Sequence, residues 1–277
     1  MAVVAATMVA AAAAHHLERH ESVETIPKPG FLFTAKLETT VFRPHGEGPF
    51  PVVIINHGKQ EGNPRFQHRF RPESAALYFL ERGYLVVVPM RQGFAHSTGN
   101  YIGAGCNVES NGFAQAHDDE AVLAYLATLA YADRSRVLVV GVSHGGWTAL
   151  ALGALHPEGV KGLVNFAGGL RQDGCVAWEN TLARAAGSYG RRTDVPSLWL
   201  YGDNDTFFPP STFNAMYAAY TAGGGHAKLV DYGEFRSDAH LLFASQDGRD
   251  IWDPEVTQFL KSLGLPYESV TKPAPSP

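Results

Sequence analysis

Apolar residues in this chain fall in short, nearly continuous runs. Pro51-Val-Val-Ile-Ile55, Leu85-Val-Val-Val88, Val137-Leu-Val-Val140 and Ser197-Leu-Trp-Leu-Tyr201 do not alternate with polar residues. Such runs mark parallel strands covered on both faces. Residues 160–167 and 227–231 extend the series, and residues 31–43 read as β structure, an antiparallel hairpin at the start of the sheet. Stretches with helical character lie between them, at 72–82, 115–131, 147–155, 211–220 and 253–263. The first has Pro72 in its opening turn, where proline is tolerated. The second carries Asp118, Asp119 and Glu120 in its first turns, where the helix dipole favours carboxylates. Strand and helix in alternation predict an α/β fold with a doubly wound, mostly parallel sheet and helices on both faces. Neither an internal repeat nor an interdomain linker is visible. The expected organisation is an Ala-rich segment over 1–26, one α/β domain over 27–266 and a disordered Pro-rich tail over 267–277.

The chemistry enters at Gly141-Val142-Ser143-His144-Gly145, between the run 137–140 and the helical stretch from Trp147. In a chain with 29 glycines the motif alone is weak. Strand before and helix after give it meaning, because G-x-S-x-G in that setting is a nucleophile elbow. The turn is tight enough that a side chain at Gly141 or Gly145 would block the passage of strand against helix. A nucleophilic serine needs a base and an orienting acid, which follow it in this chain order. His156 stands near the end of the serine's helix. His226 begins a strand, the wrong end of a parallel sheet, since sites collect at carboxyl ends. His240 follows the strand 227–231 at the correct end and is the expected base. For the acid, Asp203 and Asp205 compete in the loop after Tyr201. Asp203 is suited to capping the turn, and geometry favours Asp205, which reaches further out. Asp238 reads as solvated. The oxyanion hole is expected from the backbone amide of His144 and a second amide after Asn56-His57-Gly58, with Lys59 ahead of Gln60. His57 precedes the serine and suits a structural role in that loop.

Five stretches then match a known pattern in order. They are Asn-His-Gly at 56–58, Pro-Met-Arg-Gln-Gly-Phe-Ala-His-Ser at 89–97, Gly-Val-Ser-His-Gly-Gly at 141–146, Tyr-Gly-Asp-Asn-Asp at 201–205 and Asp-Ala-His at 238–240. The chain resembles the α/β-hydrolase superfamily and, within it, the Ser-type dienelactone-hydrolase-like proteins. That resemblance implies an α/β-hydrolase fold with Ser143, Asp205 and His240 as a triad, and it raises Asp205 over Asp203. Dienelactone hydrolases themselves use a cysteine nucleophile where this chain has Ser143. The implied activity is therefore hydrolysis of carboxylic esters by acyl transfer from Ser143 to water. A serine peptidase or amidase, an acyltransferase and a non-catalytic binding protein are the alternatives.

Composition narrows the partners. A net charge of −5 with no basic patch argues against nucleic acid. The body of the chain holds no apolar stretch long enough to span a bilayer. No His/Cys/Asp cluster has metal-ligand spacing, and the chemistry calls for no cofactor. A small-molecule ester is the expected partner. The N-terminal run Ala2–Ala14 has the form of a signal-peptide core with cleavage near Ala14, although the charged n-region is missing. Export to the periplasm or medium is the expectation, with a cytoplasmic enzyme as the alternative. Cys106 and Cys175 both follow strands at the carboxyl end of the sheet, and a disulfide between them would fit export. The interval 168–196 has room for one short helix, at 177–186, and no cap domain. An open cleft with a minimal lid follows, its walls drawn from Phe94, Tyr101, Trp147, Trp178, Phe207 and Phe208 or these packed into the core. Arg91 could bind a substrate carboxylate, although a local structural salt bridge is favoured.

Overall fold

The computed structural model describes residues 20–270. The signal-like run Ala2–Ala14 and the tail from 271 onward lie outside the described residues. One sheet runs in the order β1 (Glu21–Lys28), β2 (Ala35–Phe42), β4 (Leu85–Pro89), β3 (Phe50–Asn56), β5 (Ala132–Val142), β6 (Val160–Phe166), β7 (Ser197–Tyr201), β8 (Ala227–Asp231). β1 and β2 pair antiparallel, as do β2 and β4, and every later pairing is parallel.

The expected parallel strands all form, because each apolar run can be buried on both faces. Within β3, Val52 and Ile54 join a cluster containing Trp147, Trp199 and Leu182. Val53 and Ile55 join the opposite cluster, with Tyr78, Phe79 and Trp252. Each such side chain contributes roughly 1.5–3 kcal/mol of transfer free energy. The helices that cover the sheet are α1 (Glu73–Leu80), α2 (Val108–Leu126), α3 (His144–Gly153), α4 (Trp178–Gly190), α5 (Pro210–Ala222) and α6 (Gly248–Ser262). Helices α2 to α5 lie against the first cluster, and α1 and α6 against the second.

Three boundaries differ from the expectation. The sheet starts at Glu21, before the expected domain start at 27. β1 is a polar, largely exposed edge strand, so it carries no apolar run to announce it. At the other end, Val270 N–H donates to Glu81 O and Arg82 Nε to Tyr267 O, so the chain stays bound to the domain through 270. The largest shift concerns α2, which begins at Val108 rather than 115 and ends at Leu126 rather than 131. Its start is fixed by Asn107, whose side chain accepts the Ser110 N–H at 2.9 Å. Asp118 and Asp119 are consequently mid-helix and buried, and not dipole-facing residues of a first turn.

Candidate active site

Ser143 stands between β5 and α3 with φ 55° and ψ −124°. A non-glycine residue held there costs about 1–3 kcal/mol, which the surrounding structure must over-determine. Its N–H donates to Phe166 O, and its carbonyl accepts from Trp147 N–H and Gly169 N–H. The glycines on either side permit the crossing. A Cβ on Gly141 would lie 2.1 Å from Gly145 O, and one on Gly145 would lie 2.1 Å from Asn56 O. The elbow therefore rests directly on the end of β3, from which the loop His57-Gly58-Lys59 leaves. That loop passes beside the serine, since a Cβ on Gly58 would be 3.4 Å from Ser143 Cβ.

His240 Nδ1 donates to Asp205 Oδ2 at 3.1 Å. In the neutral imidazole, Nε2 is then the nitrogen with the lone pair. Asp205 is buried after the carboxyl end of β7, and its Oδ1 accepts the N–H groups of Phe207 and Phe208, both at 2.8 Å. Asp203 is exposed in the same loop. His156 and His226 stand elsewhere: His156 faces Asp194 beyond the end of α3, and His226 lines a groove with Glu255 and Phe259. Ser143, Lys59, Tyr101, His144, Phe207 and Phe208 line one cleft of about 330 Å³. Phe207 and Phe208 also lie against the His240 imidazole, with ring centroids 4.5 and 5.7 Å away. The serine and the His240–Asp205 pair thus share those two phenylalanines.

Asp238 is partly exposed, and it is also firmly bonded. Its carboxylate accepts from Thr206 N–H, Thr206 Oγ1 and His240 N–H, at 3.1, 2.8 and 3.0 Å. It clamps the loop carrying Asp205 to the loop carrying His240. Burial acts to raise its pKa, but the donations from His240 and Thr206 prevail and hold it below the usual carboxylate value. The signal was present in the sequence: an Asp two residues before the histidine caps the short turn Ala239–Leu241.

Three residues expected at or near the cleft are buried away from solvent. Trp147 is not a cleft wall. It is fully buried, packs on Tyr189 and donates its Nε1–H to Val108 O at 2.9 Å. Phe94 is likewise buried, against His57 and Tyr101. Arg91 is not a substrate contact, because no part of it reaches solvent, and it forms no salt bridge among the described residues. Its Nη2 lies 3.3 Å from both His57 Nδ1 and His144 Nδ1. Burial first, then the Arg91 charge, drives the pKa of His57 and His144 well below the ordinary value of 6.5, so both are neutral.

Cys106 and Cys175 are joined, with their Cα atoms 5.7 Å apart. The bridge ties the loop after Tyr101 to the segment following Gly168, and both contribute to the cleft. α4 is the only helix between β6 and β7 among the described residues, so no cap domain covers Ser143 there.

The family model of the X-Pro dipeptidyl-peptidases (S15 family) matches residues 34–196. That span holds the 56–59 loop and the elbow and stops before Asp205 and His240. Among solved structures, a protein designated a dienelactone hydrolase from Klebsiella pneumoniae is 20% identical with a TM-score of 0.60, the match covering 88% of this chain and 98% of that one. An esterase of Pyrococcus furiosus is 16% identical with a TM-score of 0.60, covering 87% and 92%. An acylaminoacyl peptidase of Pyrococcus horikoshii is 15% identical with a TM-score of 0.63, covering 92% of this chain but 43% of that one. This chain thus spans less than half of that peptidase, and at such identities the likeness is one of fold. A search of curated proteins gives no match.

Proposed function

We propose that this chain, which belongs to the X-Pro dipeptidyl-peptidase (S15) family of α/β-hydrolase-fold serine hydrolases, cleaves carboxylic esters through Ser143, His240 and Asp205. The observation that carries this reading is the strained Ser143, standing on an open cleft whose two phenylalanines also hold the Asp205-bonded imidazole. His240 Nε2 takes the Ser143 proton as Oγ attacks the ester carbonyl. The tetrahedral oxyanion is held by the backbone amides of His144 and Lys59. The alkoxide leaves with the proton from His240, giving the acyl-enzyme. Water then repeats the sequence, transferring its proton to His240 and releasing the acid. Asp205 keeps the imidazole in the tautomer with Nε2 free and stabilises its cation. One catalytic domain carries all of these residues, and the disulfide supports an exported enzyme.

A peptidase reading is favoured by one observation, the family match itself. The ester reading draws on the open cleft, over which the segment between β6 and β7 sets no cap domain among the described residues, so that small carbonyls can reach Ser143. Turnover of p-nitrophenyl acetate and of an X-Pro p-nitroanilide, by the wild type and by Ser143→Ala, separates the two. Ester turnover that drops by on the order of 10⁶ in the variant, with little anilide turnover, is the expected result. A variant retaining a tenth of the wild-type rate would sink the Ser143 assignment. Dominant anilide turnover would establish the peptidase.

A further inference from the structure

Arg91 is a fully buried guanidinium that the mechanism above does not use. Its surroundings fix the state of each neighbour. The Arg91 backbone N–H donates to His57 Nε2 at 3.1 Å, so His57 carries its proton on Nδ1. That Nδ1–H donates to Gly58 O at 2.6 Å. On the other side, Asn111 Nδ2 is spent on Tyr101 OH and on the carbonyls of Ile102 and Gly103. Asn111 Oδ1 therefore accepts, and His144 Nε2–H donates to it at 2.7 Å. His144 Nδ1 is left with a lone pair, which faces Arg91 Nη2–H at 3.3 Å.

The two imidazoles that meet at Arg91 belong to the two backbone segments that supply the oxyanion donors. His57 fixes the loop leading through Gly58 to the Lys59 amide, and His144 carries the other amide itself. We propose that Arg91 is a positioning residue of the oxyanion hole: its backbone N–H holds the 57–59 loop through His57 Nε2, and its guanidinium, the part a substitution removes, holds the first turn of α3 through His144 Nδ1. This rests on the reading of Ser143 as the nucleophile.

Asp118 and Asp119, buried on α2, attract the guanidinium, and Asp119 Oδ2 accepts from Asn56 Nδ2 at 2.6 Å at the root of the same loop. Burial brings the Arg91 pKa down to about 10, which leaves it a cation at neutral pH. A lysine could keep the charge but would not hold a fixed, planar N–H against His144 Nδ1.

The test compares the wild type with Arg91→Lys and Arg91→Met, measuring kcat, KM and the affinity for a boronic-acid transition-state analogue. Displacing a donor by a fraction of an ångström acts on the transition state more than on the ground state. Both variants are expected to lose kcat by about tenfold or more, with KM changed by less than about threefold. Boronate affinity should fall in step with kcat/KM. Arg91→Lys preserves the buried charge and decides the matter alone if Arg91→Met does not fold. Folded variants with wild-type kcat and boronate affinity overturn the inference while leaving the Ser143 reading intact. A wild type without Ser143-dependent turnover overturns both.

Discussion

At the scale of single residues, the site depends on where protons are kept out as much as on where they move. His57 and His144 are neutral because burial, and then Arg91, oppose their cations. In the unfolded chain both would take up protons below about 6.5, while in the fold they do not. Their contribution to stability is therefore complete above 6.5 and is lost as pH falls below it, down to their depressed folded values. Asp119 works the other way. Burial raises its pKa from 3.8 to about 7, so the folded state binds its proton first and this group loses stability as pH rises across that window. Because the two trends oppose each other, the informative quantity is the difference between variants. His144→Gln should show a shallower loss of unfolding free energy between pH 6.5 and 5 than the wild type, by up to about 1.4 kcal/mol per pH unit. Urea unfolding across that range measures it, and equal slopes would mean that His144 takes up its proton within the fold. Ser143 and His240 are proposed from chain order and the carboxyl ends of strands, and Asp205 is raised over Asp203 by the family resemblance; the structure sets the His240–Asp205 pair against the same two phenylalanines that line the cleft with Ser143. Arg91 was not legible, since an arginine after a buried strand reads equally as a ligand for carboxylates or as a salt-bridge partner. Only the packing shows that it lies between two imidazoles.

At the scale of elements, the parallel strands could be read because two-sided burial writes an uninterrupted apolar run. The polar edge strand β1 and the first turns of α2 could not. The latter, Val108-Glu-Ser-Asn-Gly-Phe-Ala114, hold residues of poor helix propensity and no clean apolar stripe, and their place is set by the Asn107 cap and by side chains turned toward the cleft loops. The disulfide just before this helix has a consequence for the elements it joins. It links positions 69 residues apart, and Cys106 is exposed to reductant. Closing a loop of that size restricts the unfolded chain by about 4 kcal/mol in the chain-entropy account. Reduction, or the double change of Cys106 and Cys175 to Ser, should lower Tm by on the order of 10 °C. The same change should raise KM, because Tyr101 and the residues after Gly168 face the cleft from the two tethered segments. A thermal melt with and without reductant, paired with initial rates, tests both parts. Loss of stability with no change in KM would reduce the bridge to a staple of the fold.

At the scale of the whole molecule, the sheet order places the ends of β3, β5 and β7 and the loop after β8 around one opening, where the candidate residues Ser143, Asp205 and His240 stand. What lies above the opening decides the substrate. Between β6 and β7 the chain contributes only a loop and α4, and no described helix is long and apolar enough to cross a membrane. The cleft of about 330 Å³ is at the small end of ligand sites, and charged side chains stand at its rim: Lys59 and Arg171, Glu61 and Asp173. Among the described residues, a long acyl chain would find Phe207, Phe208, Tyr101 and Leu170 in the cleft with Ser143, and charged side chains around them. Each further methylene would then remain in water or cross a charged rim, and the gain of about 0.8 kcal/mol per buried CH₂ would not be realised. Across p-nitrophenyl esters from acetyl to decanoyl, kcat/KM should peak at two to four carbons and fall by roughly tenfold or more by decanoyl. A rate that climbs steadily with chain length would instead require an apolar surface reaching well past Phe207.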